Sequence, residues 1–169
     1  GFRNSVFNNM ASFRKIKCDD NIYFWGVEFN SKVDFWGMRC SKNVDFTSAK
    51  FASKAFFWDA SFNGSTNYNN AIFEDEVSFK NAKFQDASFS ATIFKNLSDF
   101  SFSEFKQGSF RSASFHQLDL NQSIFESAIL TDISGFERNK KVKIKSSHIV
   151  NKETARIIKN FSIKKNNIA

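Results

Sequence analysis

Two cysteines and two histidines are the residues here best suited to redox, metal or acid–base chemistry. Cys18 and Cys40 stand 22 residues apart, and His116 and His148 lie far downstream of both. A closed zinc site needs a full tetrahedral set of N and S ligands, and two thiols fall short of it. Neither histidine has a Cys or Asp at a spacing that marks a metal or nucleophile–base motif. No glycine-rich phosphate loop accompanies them. The chain is therefore expected to be non-enzymatic, with no cofactor and no metal site. What the two thiols do depends on the backbone that carries them.

That backbone is legible in "VDFTSAKFASKAFFWDASF", residues 44–62, where Phe46, Phe51, Phe57 and Phe62 follow one another at five, six and five residues. Neither the 3.6-residue turn of a helix nor the two-residue repeat of a strand returns a side chain to one face at that spacing. Extended in both directions, the ladder has 25 positions between Phe2 and Leu130: 20 Phe, one Tyr, two Cys and two Leu. Phe56, Phe102, Phe136 and Phe161 alone lie off it. A small or β-branched residue stands two positions before most rungs, as at Ala11, Val27, Val33, Val44, Ala49, Ala55, Ala60, Ala71, Val77, Ala82, Ala87, Ala113 and Ala128. Residues i and i−2 of extended chain point the same way, so both face one interior. Ser, Asn, Lys and Asp fill the intervening positions and suit corners. The absence of Pro keeps every backbone donor available to such ladders.

The motifs "AKFAS", "ASFNG", "AKFQD", "ASFSA" and "ASFHQ" resemble the unit of the pentapeptide-repeat proteins: a small residue, a polar one, a central Leu or Phe, then two polar ones. The resemblance covers about residues 2–135. It implies an all-β solenoid, a right-handed quadrilateral β-helix with the central residues stacked inside. The step alternates between five and six residues up to Phe84, which departs from the family's plain repeat. Single extra residues at alternate corners would accommodate it. Gly26, Gly37 and Gly64 each fall two residues past a rung and are expected to supply φ > 0 at corners.

With four sides per coil the rungs sort into four columns. The first is Phe2, Phe24, Phe46, Tyr68, Phe89, Phe110, Leu130; the second is Phe7, Phe29, Phe51, Phe73, Phe94, Phe115. The third is Phe13, Phe35, Phe57, Phe79, Phe100, Leu120; the fourth is Cys18, Cys40, Phe62, Phe84, Phe105, Phe125. About six coils at a rise of about 4.8 Å give a rod roughly 30 Å long. Cys18 and Cys40 then stack one coil apart, too far for a relaxed disulfide. They read as small core residues, reduced and shielded.

Charge divides the chain. Residues 1–135, the expected solenoid domain, carry 14 basic and 15 acidic residues; residues 136–169 carry ten and two, giving the net +7 of the whole. A near-neutral coil offers no continuous basic track, so direct nucleic-acid binding by the coil is not expected. Some pentapeptide-repeat proteins mimic DNA and bind topoisomerases such as gyrase, which calls for an acidic surface. Residues 74–132 hold nine acids and five bases, a weak version of one. That reading stands as the alternative.

Beyond Leu130, "VKIK" alternates like a last strand and "NKETARIIKNF" is patterned as a helix, with Ala155, Ile158 and Phe161 on one stripe. Open solenoid ends require caps, so a C-terminal helical cap over the last coil is expected. Lys140, Lys141, Lys143 and Lys145 give the segment a basic character suited to an anionic membrane surface. "ETARIIK" also resembles the Arg- and Lys-containing helix that follows the repeats in some bacterial members, where further helices and sometimes membrane spans come next. The chain opens at Gly1 without Met and stops at Ala169, and it reads as a piece of a larger bacterial protein, cytoplasmic or tethered to the membrane. No apolar run approaches the roughly 20 residues that span a bilayer.

Aromatic residues outside the ladder complete the pattern. Trp36 and Trp58 each follow a third-column Phe, and Phe56 precedes one, so all three are expected outside on one face. Tyr23 and Trp25 flank a first-column rung on the opposite side. Exposed aromatic groups of this kind mark interfaces. The expected function is a structural or protein-interaction module, with a protein partner or a second copy meeting the Trp36, Phe56 and Trp58 patch.

Overall fold

The computed structural model describes residues 1–130, 132–134 and 148–149. Within them the chain is an all-β solenoid of about six coils. Every strand pairing is parallel, and pairs in the first half join residues 22 apart, as Val6↔Glu28 and Lys17↔Arg39 do. The strands of each coil therefore satisfy their backbone groups through the coils above and below. His148–Ile149 adds one more parallel pairing, on Ile124–Phe125 of the last full coil.

All four columns are realised as stacks. In the first column, Phe24 lies on Phe46 at 4.7 Å between ring centroids with planes within 3°. Phe73 and Phe94 of the second column stack within 2°, and Phe35 and Phe57 of the third are 4.6 Å apart. Phe105 and Phe125 of the fourth stack at 4.6 Å. The first and third columns meet edge to face, Phe13 and Phe24 at 86° and Phe46 and Phe57 at 89°, while the first and second meet at a tilt, as Phe46 and Phe51 do at 49°. Parallel stacks that meet edge to face or at a tilt match the preferred geometries of aromatic pairs. The small residues two before the rungs, from Val27 to Ala113, are fully buried beside them. At three of these positions a hydroxyl is turned back onto the chain: Thr92 donates to the Tyr68 carbonyl at 2.7 Å, Ser103 to that of Phe100 at 2.6 Å and Ser123 to that of Leu120 at 2.5 Å. The buried hydroxyls of Thr66 and Ser98, by contrast, have no hydrogen-bond partner.

Corners come in two kinds. After each first- and third-column rung from Phe2 to Leu120 the chain makes a four-residue turn closed by a bond to the rung's carbonyl, as from the Val27 amide to Phe24 at 3.1 Å. The third residue of each such turn has positive φ: Gly26 at 63°, Asn81 at 57°, even Phe102 at 60°. This is the type II pattern. The residue before the rung often braces the turn from outside. Asp34 accepts from the Trp36 amide at 2.9 Å, and Asp45, Asn67, Asp99 and Asp119 do the same at their own corners.

The extra residue of each six-step lies at the other corners, after the second and fourth columns. Where neighbouring coils both take six, the strand breaks in two, as between Ile22–Tyr23 and Lys17–Cys18. Where the step is five the strand runs straight across in Lys83–Ser88, Glu104–Ser109 and Ser114–Asp119, and on the last coil it breaks between Ile124–Phe125 and Ala128–Ile129. Where a six meets a five, the register slips, between Phe62 and Ser65 and between Phe94 and Leu97. Gly64 belongs to the first of these slips, which corrects its sequence assignment. Its φ is not positive, and glycine is required there for another reason. A Cβ would lie 2.5 Å from the Lys42 carbonyl carbon.

Candidate interaction surface

The third-column corner stacks coil on coil through backbone bonds: the Lys15 amide to Trp36, Gly37 to Trp58 and Asp59 to Lys80, at 2.8, 2.8 and 3.1 Å. This aligns Arg14, Trp36, Trp58 and Lys80 in one outward row, with Phe56 just before the corner and Phe102 just after it. Trp58 is 44% exposed and Phe102 is 41% exposed. The ring of Phe56 stands edge-on to Trp58 at 5.5 Å. Cations line the ridge: Lys32 sits 4.8 Å over Phe56 and Lys80 5.7 Å over Phe102.

The three aromatic residues of the expected patch do lie on one side, yet they differ in state. Trp36 is pinned in place. Arg14 and Lys15 each stand 4.6 Å from its ring, and its indole N–H donates to the Asp59 carboxylate at 3.0 Å. Asn81 holds the other oxygen of Asp59 at 2.6 Å. Trp58 and Phe56 form the open part. Phe102 joins them and was not assigned from the sequence. The signal was present: an aromatic stands two residues after a third-column rung, where the turn demands positive φ and no other described corner places an aromatic. On the opposite corner Trp25 is exposed, and Arg3 covers the Tyr23 ring at 4.1 Å.

The remaining candidates resolve as follows. Cys18 and Cys40 are free and paired in register. Burial, and then a hydrogen bond to Cys18, push the Cys40 thiol far above its ordinary range. Cys18, on the first coil, is only half-buried, so it is less shielded than expected. His116 is exposed on an outer face. No group of three or more metal-ligating side chains exists among the described residues. Among them no helix is long and apolar enough to cross a membrane. The expected helical cap and the basic residues Lys140, Lys141, Lys143 and Lys145 lie outside the described residues.

Beyond the corner, the face between the third and fourth columns carries an open groove of about 520 Å³, with Trp36 as one wall and Gly37 at its rim. Lys15, Lys17, Arg39 and Lys83 line it, against one carboxylate, Asp59.

No protein-family model matches the chain, and no curated protein matches it. Among solved structures it is similar to HetL, a pentapeptide repeat protein involved in heterocyst differentiation regulation from the cyanobacterium Nostoc sp. strain PCC 7120. The two chains are 13% identical, and the match covers 88% of this chain and 89% of HetL at a TM-score of 0.27.

Proposed function

We propose that this chain is a pentapeptide-repeat rod acting as a non-catalytic structural and protein-interaction module, part of a larger bacterial protein. The coil is right-handed, as the repeat motif implies, and the helical pattern of "NKETARIIKNF" supplies a cap for its open end. The observation that carries the function is the ridge at the third corner. There the rod gives Trp58 and Phe102 to solvent beside Phe56, and Phe102 holds a strained backbone region. A large apolar ridge rimmed by cations fits a protein surface, either a partner or a second copy. The DNA-mimic alternative draws little support from the rod, where Glu76, Glu104 and Glu74 are each paired with a lysine. The basic segment at 136–169 supplies a second, electrostatic contact, with an anionic membrane surface.

Light scattering across protein concentration and salt tests this. Association through the ridge persists or strengthens as salt rises, because apolar burial is not screened. Trp58→Ser with Phe102→Ser abolishes it without loss of the β-sheet circular dichroism. Binding of the chain to anionic vesicles fades over the same range, since exposed charges are screened within about 8–10 Å near physiological salt. A wild type that stays monomeric at every concentration removes self-association and leaves a heterologous partner; a double variant that associates unchanged removes the ridge.

A further inference from the structure

We propose that the groove beside Trp36 is the docking site for an acidic, extended segment of a protein partner. This deepens the reading of the third-corner side as an interaction surface, and it rests on that reading. The carrying observation is a like-charge pair. Lys17 and Arg39 occupy directly paired positions on adjacent parallel strands, both outward and both exposed. Like charges at such positions repel. Elsewhere in this solenoid the same relationship is used to neutralise charge: Glu28 is registered with Lys50, and Lys83 with Glu104, whose atoms meet at 3.0 Å. Asp99 and Asp119 are the other like-charge pair, but each carboxylate accepts a backbone amide of its own turn. Lys17 and Arg39 have no ion pair among the described residues.

Around them the groove adds Lys15 and the far edge of Lys83, and Asp59 is occupied by Trp36 and Asn81. The free charge facing the groove is thus positive. Its wall is a tryptophan fixed by three neighbours, which needs no reordering when a ligand arrives. The groove is also short. Along the rod, Ser61 follows Arg39 in the same outward row, and the next member, Lys83, is already neutralised by Glu104 beyond it. A duplex or long single strand requires a continuous basic track, whereas a few carboxylates on an extended peptide require only this patch. The chain's own 136–169 segment carries net +8 and has the wrong sign.

Fluorescence anisotropy with a labelled short poly-glutamate peptide tests the proposal on the full chain, with poly-glutamine and a labelled oligothymidine as comparisons. Wild type binds poly-glutamate in preference to poly-glutamine. Lys17→Gln with Arg39→Gln weakens that binding roughly tenfold, the sum expected for two exposed charge pairs. Lys50→Gln with Lys95→Gln removes the same net charge elsewhere and leaves binding unchanged. Lys17→Glu, which gives Arg39 an opposite-charge neighbour, keeps the circular dichroism of the rod and also loses the peptide. Three results would each overturn the proposal: both double variants weaken binding equally, neither weakens it, or oligothymidine competes with the same dependence on Lys17 and Arg39. Trp58→Ser leaves peptide binding intact, so failure of the groove and failure of the aromatic ridge are seen separately.

Discussion

Tyr68 stacks on Phe89 with centroids 4.7 Å apart and planes within 3°, the geometry of the Phe–Phe pairs around it. Its hydroxyl, however, is buried without a hydrogen-bond partner. The ring belongs to the column and the oxygen does not. An unsatisfied buried polar group costs about 1–3 kcal/mol, and the stack would accept Phe unchanged. Tyr68→Phe is expected to stabilise the rod by about 1 kcal/mol in urea denaturation; a destabilised variant would reveal a partner for the hydroxyl.

Alkaline pH probes the same interior. Burial raises the Tyr68 phenol above 10.0 and the Cys40 thiol above 9.0, their ordinary values. Both groups stay protonated in the native state at a pH where the unfolded chain has released its protons. The unfolded state then binds fewer protons, so stability falls as pH rises. The contribution is complete below the unfolded values and declines above about pH 9, by up to about 1.4 kcal/mol per pH unit for each group. Urea midpoints from pH 7 to 11 should show this decline, and Tyr68→Phe should flatten its upper part.

Core and corner should separate cleanly. Phe89→Ala leaves a hole between stacked rings whose backbones are fixed by neighbouring coils, and is expected to cost about 3–5 kcal/mol. Asn63→Ser, at an exposed position, should cost under about 0.5 kcal/mol. Equal losses in a urea titration would contradict the inward placement of Phe89.

Phe102 predicts an opposition between stability and binding. Its φ of 60° suits glycine. Phe102→Gly should stabilise the rod by about 0.5–1 kcal/mol while weakening ridge-mediated association. Calorimetry and light scattering on one preparation would show both, and a destabilised, fully associating variant would refute the assignment.

The thiols divide by exposure. Cys18 should react with a thiol reagent in the native protein, and Cys40 only after unfolding, because burial disfavours the thiolate that attacks. Stopped-flow labelling with and without urea distinguishes them, and equal native rates would place Cys40 at the surface.

The ladder was legible because one constraint dominates it. A rung must point inward, and Phe at five- or six-residue steps has no other explanation over so many positions. Column membership, the Cys18–Cys40 register and the outward placement of Trp58 all follow from counting. Gly64 was misassigned because counting does not reveal where a six-residue step meets a five. That mismatch exists only between two coils. Phe102 was missed because its meaning lies in a backbone angle. The groove was overlooked for a different reason: Lys17 and Arg39 are unremarkable until placed 22 residues apart on one outer row, and then their shared sign stands out. The segment that would cap the rod follows no such count.

Because the strands of each coil bond only to the coils above and below, the rod has a distinctive response to being pulled from its two ends. Force along the axis loads a whole coil's hydrogen bonds as a peeling seam, not as a shear plane. In the first half one coil is 22 residues long. Releasing it would convert a rise of about 5 Å into roughly 75 Å of extended chain. Stretched in a single-molecule trap, the protein should lengthen in a sawtooth of near-equal steps. Those steps should shorten slightly once unspooling reaches the coils that lack the extra residues. A rod of this kind would act as a ratcheted spool, absorbing tension coil by coil.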